Sequence, residues 1–221
     1  MSKSQIFHTG KYESIEKAIV KLLNSQPDFL SARTAVSTRA VGDAIQTILS
    51  EHFQSLLGKL CTEYSADFAR RAMADLAFSD TDGLYYVVDV KTHRLGTHFN
   101  MPNLTSVERL ARFYEDDENY FAVLIVKYAV EGTKVKAKEA HFVPIEFLSW
   151  DCLTIGALGW GQIQIANANI IDINEGYSRK KWMIELCNVM LEFYPREVGK
   201  IKERMEYFKR VKQRWEKEPE T

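Results

Sequence analysis

Residues 120–129, YFAVLIVKYA, are an almost unbroken apolar run carrying one charge, Lys127. A run this short, rich in β-branched and aromatic residues, reads as a strand covered on both faces. Such a strand needs helices on either side of its sheet, which points to a mixed α/β fold. Gly132 closes the run, and 134–143 reads as a hairpin partner.

The remainder of the chain supplies the helices. Ile15, Ala18, Ile19, Leu22 and Leu23 have helical spacing over 12–24, and Pro27 ends that segment. Ser37 or Thr38 is a plausible N-cap for a second helix whose apolar face carries Val41, Ala44, Ile45, Ile48, Leu49 and Phe53. The spacing predicts a third helical segment over about 54–72. A helix is expected over 105–114, followed by an acidic turn at 115–118 that reads as a solvated loop. Ser178 caps another helix, which Pro195 is expected to break. A last amphipathic helix follows over 196–217, with Ile201, Met205, Phe208, Val211 and Trp215 in register and a basic opposite face that reads as solvated surface.

At 221 residues, 46% hydrophobic and 27% charged, the chain has ample core material, and we expect a single domain over 1–221. Within it, 1–72 would form a helical part, 73–150 the sheet and 151–221 a further segment ending in helices. No apolar run reaches membrane-span length, and the N-terminus lacks a signal-peptide core. Cys61, Cys152 and Cys187 are far apart without metal spacing, as expected of free thiols in a reducing cytoplasm. No phosphate-binding glycine loop or dinucleotide fingerprint is present, so no nucleotide cofactor is expected. A formal net charge of −1 argues against a protein that coats nucleic acid, but leaves room for a local basic groove beside an acidic centre.

The stretch 73–106 carries the chemistry. Tyr85 to Val90 reads as a strand, and alternation puts Asp89 and Lys91 on one face of it. Asp80-Thr81-Asp82-Gly83 is a hairpin turn signal that folds Leu76–Phe78 back on this strand. Asp75 then comes near Asp89. Two carboxylates and a lysine at a sheet end suit Mg²⁺-dependent phosphodiester chemistry. A solvated surface ion pair in an unrelated α/β protein is the plainer alternative. The loop 93–101 follows, with His93, His98 and Asn100. Downstream, a glycine cluster with Trp160 precedes Gln162-Ile163-Gln164-Ile165, whose two amides share one strand face. Asn167 and Asn169 lie in the opposite phase. Asn and Gln can pair with adenine edges, and a polar surface strand is the alternative.

At Ala74-Asp75-Leu76 and Leu84-Tyr85-Tyr86-Val87-Val88-Asp89-Val90-Lys91-Thr92 the chain resembles type II restriction endonucleases of the PD-(D/E)xK superfamily, in the EcoRV/HincII-like branch. The segments Asn100–Ser106, Gly161–Ile165, Gly176–Ser178 and Trp182 are similar in order and spacing to segments of that branch. Together they span about half the chain. Ala74 stands where the family has a nominal Pro, and the glycine-rich loop 156–161 differs from the family's recognition loop. The resemblance implies a restriction-endonuclease-like core, with a central mixed five- to six-stranded sheet flanked by helices. It implies a Mg²⁺-dependent homodimer cutting double-stranded DNA at a short palindrome, leaving 5′-phosphates and blunt ends, in the cytoplasm of a bacterium or archaeon. Asp75 and Asp89 would be metal ligands, with the Val90 carbonyl a further one, and Lys91 would act on the attacking water. Asp43 is the first candidate for an auxiliary upstream acid, with Glu51 and Glu63 as alternatives. Asn100 and Asn103 would contact DNA beside the cut, and Trp160, Gln162, Gln164, Asn167 and Asn169 would enter the major groove. Thr38, Arg39, Thr92 and His93 are candidate phosphate contacts. A repair or nicking nuclease with the same centre, or a non-catalytic DNA-binding module, remains an alternative.

Overall fold

The computed structural model describes residues 3–27, 30–66, 74–97 and 100–219. The chain forms two compact units, residues 1–176 and 177–221. The first is mixed α/β, with a five-stranded mixed sheet and a three-stranded sheet flanked by helices.

Helices α1 (Gln5–His8), α2 (Lys11–Ser25), α3 (Ala32–Ala35) and α4 (Thr38–Leu57) come first. Ser37 is the N-cap of α4, its side chain accepting from the Ala40 N–H. One stripe of α4 (Val41, Ile45, Leu49, Phe53 and Leu57) is buried. Of the third helix expected over 54–72, residues 54–57 belong to the end of α4, and the described residues from 58 onward form no α-helix. Gly58, at φ 55°, ends α4, and a 3₁₀ turn at Gly58–Leu60 leads into strand β1 (Cys61–Ser65). Leu56, Leu57 and Leu60 continue the helical period, but β1 is held instead by pairing along β2 (Leu76–Asp80). Phe68, Ala69 and the rest of 67–73 lie outside the described residues, as does His98.

The large sheet has the order β1-β2-β3-β5-β6, with β3 Tyr85–Arg94, β5 Asn119–Glu131 and β6 Lys134–Pro144. Neighbours are antiparallel except β3 and β5, which run parallel and set Asp89 beside Val123 and Lys91 beside Ile125. The 120–129 run is buried as expected, within an interior strand. The turn at Asp80–Gly83 forms as read. The Asp80 carboxylate accepts from the Asp82 and Leu84 N–H groups at 2.9 and 3.0 Å, and Gly83 takes φ 81°. Phe78 stacks on its register partner Tyr86 at 4.5 Å between ring centres.

α2 packs against β6, and its polar side chains satisfy that edge strand. Asn24 both donates to the Ala137 carbonyl and accepts from its N–H, and Glu16 accepts from the Phe142 N–H at 2.6 Å.

The small sheet is β4 (Asn103–Ser106), β8 (Gln162–Ile165) and β7 (Leu153–Gly156), with β8 central. Asn103 to Ser106 is extended, so the helix expected from Thr105 begins two residues later, as α5 (Val107–Phe113) with Ser106 as its cap. Thr105 is drawn into β4 by pairing with Ile163.

The second unit is dominated by α6, Arg179–Trp215, a single helix of 37 residues capped by Ser178. The expected break at Pro195 does not occur. Proline removes one N–H and so frees the Leu191 carbonyl, but Leu191 is 73% exposed and water can take that bond. Trp182, Leu186, Met190 and Phe193 are the buried residues of α6. Among the described residues, no helix is long and apolar enough to cross a membrane.

Candidate active site

β2, β3 and α4 build the site in the first unit. The hairpin register sets Leu76 beside Val88, which places Asp75 at the mouth of the β2–β3 pair. The Asp75 N–H donates to the Val88 carbonyl at 3.0 Å, and Asp75 Oδ2 accepts from the Val90 N–H at 2.7 Å. The Asp75 carboxylate thus bends over the backbone between Asp89 and Lys91. Lys91 Nζ donates to Asp89 Oδ1 at 2.6 Å, as the strand alternation predicts.

Asp89 is 5% exposed, and its Oδ2 is buried with no hydrogen-bond partner. Burial pushes the carboxyl up to about 7; Lys91 pulls it down and Asp75 raises it again. A buried, unpartnered carboxylate oxygen is costly unless a cation meets it. The donor set fits a hard divalent cation that takes oxygen ligands. Asp75 and Asp89 would hold it, Lys91 would share its charge field, and the Val90 carbonyl lies on the same short stretch. Among the described residues, no group of three or more His, Cys, Asp or Glu side chains converges on one point. Asp43 lines the clefts on either side of the centre.

Two clefts open around the centre. One, of about 370 Å³, is lined by Asp43, Gln46, Thr47, Ser50 and Asp75. The other, of about 400 Å³, is bordered by Thr38, Arg39 and Asp43 of α4, by Val90, Lys91 and Thr92 of β3, and by Asn100 and Asn103. It gathers most of the predicted metal-side and phosphate-side residues on one surface. α4 passes β3 closely there: a Cβ on Gly42 would stand 2.7 Å from Thr92 Oγ1. Glu51 is exposed on α4 and Glu63 is exposed on β1, so of the three candidate acids Asp43 is the one that lines both clefts. Gln46, one turn beyond Asp43 on α4, also lines both and was not anticipated; its place on the polar side of α4 was the available signal.

The candidate DNA-reading residues separate into three groups. Gln164 sits opposite Asn103 in the small sheet and donates to its Oδ1 at 2.5 Å, joining β8 to the second cleft. Trp160 and Gln162 border a different hollow, of about 390 Å³, with Ser106 and Arg109. Arg109 was likewise unanticipated. Trp160 is 75% exposed at the β7–β8 turn. His93, expected in a loop, is the penultimate residue of β3 and is buried. Its Nε2 is 2.8 Å from Asn169 Oδ1, and the Asn169 backbone N–H donates to Asn167 Oδ1. These three form a polar network beside the second cleft, where the Ala168 N–H donates to the Asn100 carbonyl at 3.0 Å. No family model matches the chain, and no curated protein is similar to it in sequence.

Proposed function

We propose that this chain is a Mg²⁺-dependent type II restriction endonuclease with a restriction-endonuclease-like core. It would act in the cytoplasm of its cell as a homodimer on a short palindromic site in double-stranded DNA. The observation that carries the reading is the buried, unpartnered Asp89 Oδ2 beside Asp75 and Lys91. Lys91 lines a cleft edged by Arg39, Thr92, Asn100 and Asn103, and Asp75 lines a second cleft beside Asp43 and Gln46.

Bound Mg²⁺ would supply Lewis acidity toward the scissile phosphate and lower the pKa of a bound water. Asp75 and Asp89 hold the cation in this reading. Lys91, kept next to Asp89 by a 2.6 Å hydrogen bond, orients the attacking water and offsets charge that develops on the phosphate. Arg39, Thr92 and Asn100 grip the backbone beside the cut. Gln162 and Gln164 present amides for base edges from the exposed side of β8. In-line attack leaves a 5′-phosphate, and the resemblance favours blunt ends. Two-fold protein symmetry would match the palindrome.

Incubation with Mg²⁺ and plasmid DNA of mixed sequence, followed by sequencing of fragment ends, tests this. Discrete fragments sharing a palindromic end sequence are expected. No cleavage, or cleavage unchanged in Asp89→Ala or Lys91→Ala protein, overturns the reading.

A further inference from the structure

The second unit presents an apolar seam that the chemistry of cleavage does not use. On α6, Leu191, Tyr194, Val198, Ile201, Met205 and Phe208 follow each other at alternating steps of three and four residues. The same steps reach Ile184 and Cys187 upstream and, past Lys212, Trp215. The large apolar members of this series are 39–73% exposed. They lie apart from the buried residues Trp182, Leu186, Met190 and Phe193.

Two apolar positions in every seven, sustained over four heptads, is the pattern of a coiled-coil seam. A helix that lies on a lipid surface needs a broader apolar face. Here the flanking positions are charged and of mixed sign, including Glu197, Lys202, Arg204 and Lys209. A specific dimer covers about 800 Å² per partner, and eight large apolar side chains at these exposures offer surface of that order.

We propose that this seam pairs antiparallel with the same seam of a second copy of the chain. Charge selects the direction. In a parallel pair Lys212 would face Lys212 of the partner subunit inside the seam, and the repulsion of Arg204 and the partner's Lys209 would offset the attraction of Glu197 and the partner's Lys202. In the antiparallel register with Val198 opposite the partner's Ile201, Leu191 meets the partner's Phe208, and Ile184 meets the partner's Trp215. Lys212 then faces the partner's Cys187 rather than a like charge. Glu197 sits beside the partner's Arg204, and two-fold symmetry repeats that pair. This interface is independent of the chemistry of Asp75, Asp89 and Lys91.

Sedimentation equilibrium of the full chain reads the pairing. A dimer is expected, and Ile201→Lys or Phe208→Lys, each at an exposed site, should convert it to monomer with unchanged far-UV circular dichroism. Direction is read in a Cys61→Ser, Cys187→Ser background carrying Leu191→Cys or Phe208→Cys. When the two proteins are mixed, left to exchange and oxidised, cross-linked dimer should exceed the yield from either alone severalfold. A monomer at every concentration, a dimer indifferent to both lysines, or a monomer that instead binds anionic phospholipid vesicles overturns the proposal. Equal self-cross-linking of the Leu191→Cys protein alone overturns the antiparallel arrangement. The seam supplies the homodimer of the proposed function, and Asp89→Ala should abolish cleavage without altering the dimer mass, so failure of the metal centre and failure of the seam are distinguishable.

Discussion

Lys91 reaches back along its own strand to Asp89 and bonds one carboxylate oxygen at 2.6 Å, leaving the other buried without a partner. The pair is half satisfied, and the unsatisfied half is where a cation would act. Mg²⁺ at ten times its dissociation constant should raise stability by about 1.4 kcal/mol. Asp89→Asn should remove the effect. Thermal melting with increasing Mg²⁺ checks this, and a wild-type midpoint that ignores the metal counts against the centre.

Asp75→Ala, Asp89→Ala and Lys91→Ala should each lower DNA cleavage by at least about 10²–10³-fold. DNA affinity in Ca²⁺ should change far less. Asp43→Asn decides the auxiliary role: a loss comparable to Asp75→Ala makes it part of the centre, and near-normal rates make it a cleft wall. Single-turnover cleavage separates the outcomes.

Arg39 and Gln164 should differ in kind. Arg39→Ala should weaken binding to all sequences and reduce the salt slope by about one. Gln164→Ala should cost about 1–3 kcal/mol on the preferred site and little elsewhere. Fluorescence anisotropy over a salt series, on cognate and scrambled duplexes, distinguishes them. A uniform loss in Gln164→Ala would make that side chain a positioning group through Asn103.

Glu16 makes stability pH-dependent. Burial pushes its carboxyl up to about 7, against the opposing Phe142 N–H bond, with Glu13 and Glu175 raising it further. A raised carboxyl holds its proton longer in the folded state. Its contribution is therefore full below about 4.5 and is lost as pH rises through about 7. Glu16→Gln keeps an acceptor for Phe142 and has no charge to bury. Its melting temperature relative to wild type should rise between pH 5 and pH 8, and a flat difference would argue against the assignment.

Asp80 should be the costliest turn residue to lose. It is 4% exposed, and its carboxylate bonds the Asp82 and Leu84 N–H groups and the Tyr86 hydroxyl. Asp80→Ala leaves buried donors unmet and should cost about 2 kcal/mol or more by urea unfolding. A change below about 0.5 kcal/mol would mean that water replaces it.

The hairpin that carries Asp75, Asp89 and Lys91 was legible because its signals are local. Asp80 and Gly83 supply the turn, β-branched residues supply the strand, and alternation sets Asp89 with Lys91. Ser37 and Ser178 were readable as caps for the same reason. Cys61–Ser65 was not legible. Its burial does not alternate, and only the free edge of β2 makes it a strand. Thr105 and His93 were misplaced similarly, since pairing with Ile163 and with Lys127 extends β4 and β3 beyond their sequence signals. Pro195 was read as a break because proline's lost hydrogen bond is visible in sequence, whereas the exposure that makes the loss tolerable is not.

Sequence alone determined the mixed α/β class, the Asp75–Asp89–Lys91 hairpin and the apolar spacing of 201–215, because each depends on residues close in the chain, whereas the continuity of that spacing back to 184 follows from the helix running unbroken through Pro195. Tertiary structure decided which residues share the cleft. Asp43, Arg39 and Gln46 reach it on α4, Asn103 reaches it on β4, and His93 is drawn instead into a bond with Asn169. Those placements follow from strand order and from the close approach of α4 to β3 at Gly42, and neither is encoded in any local stretch of residues.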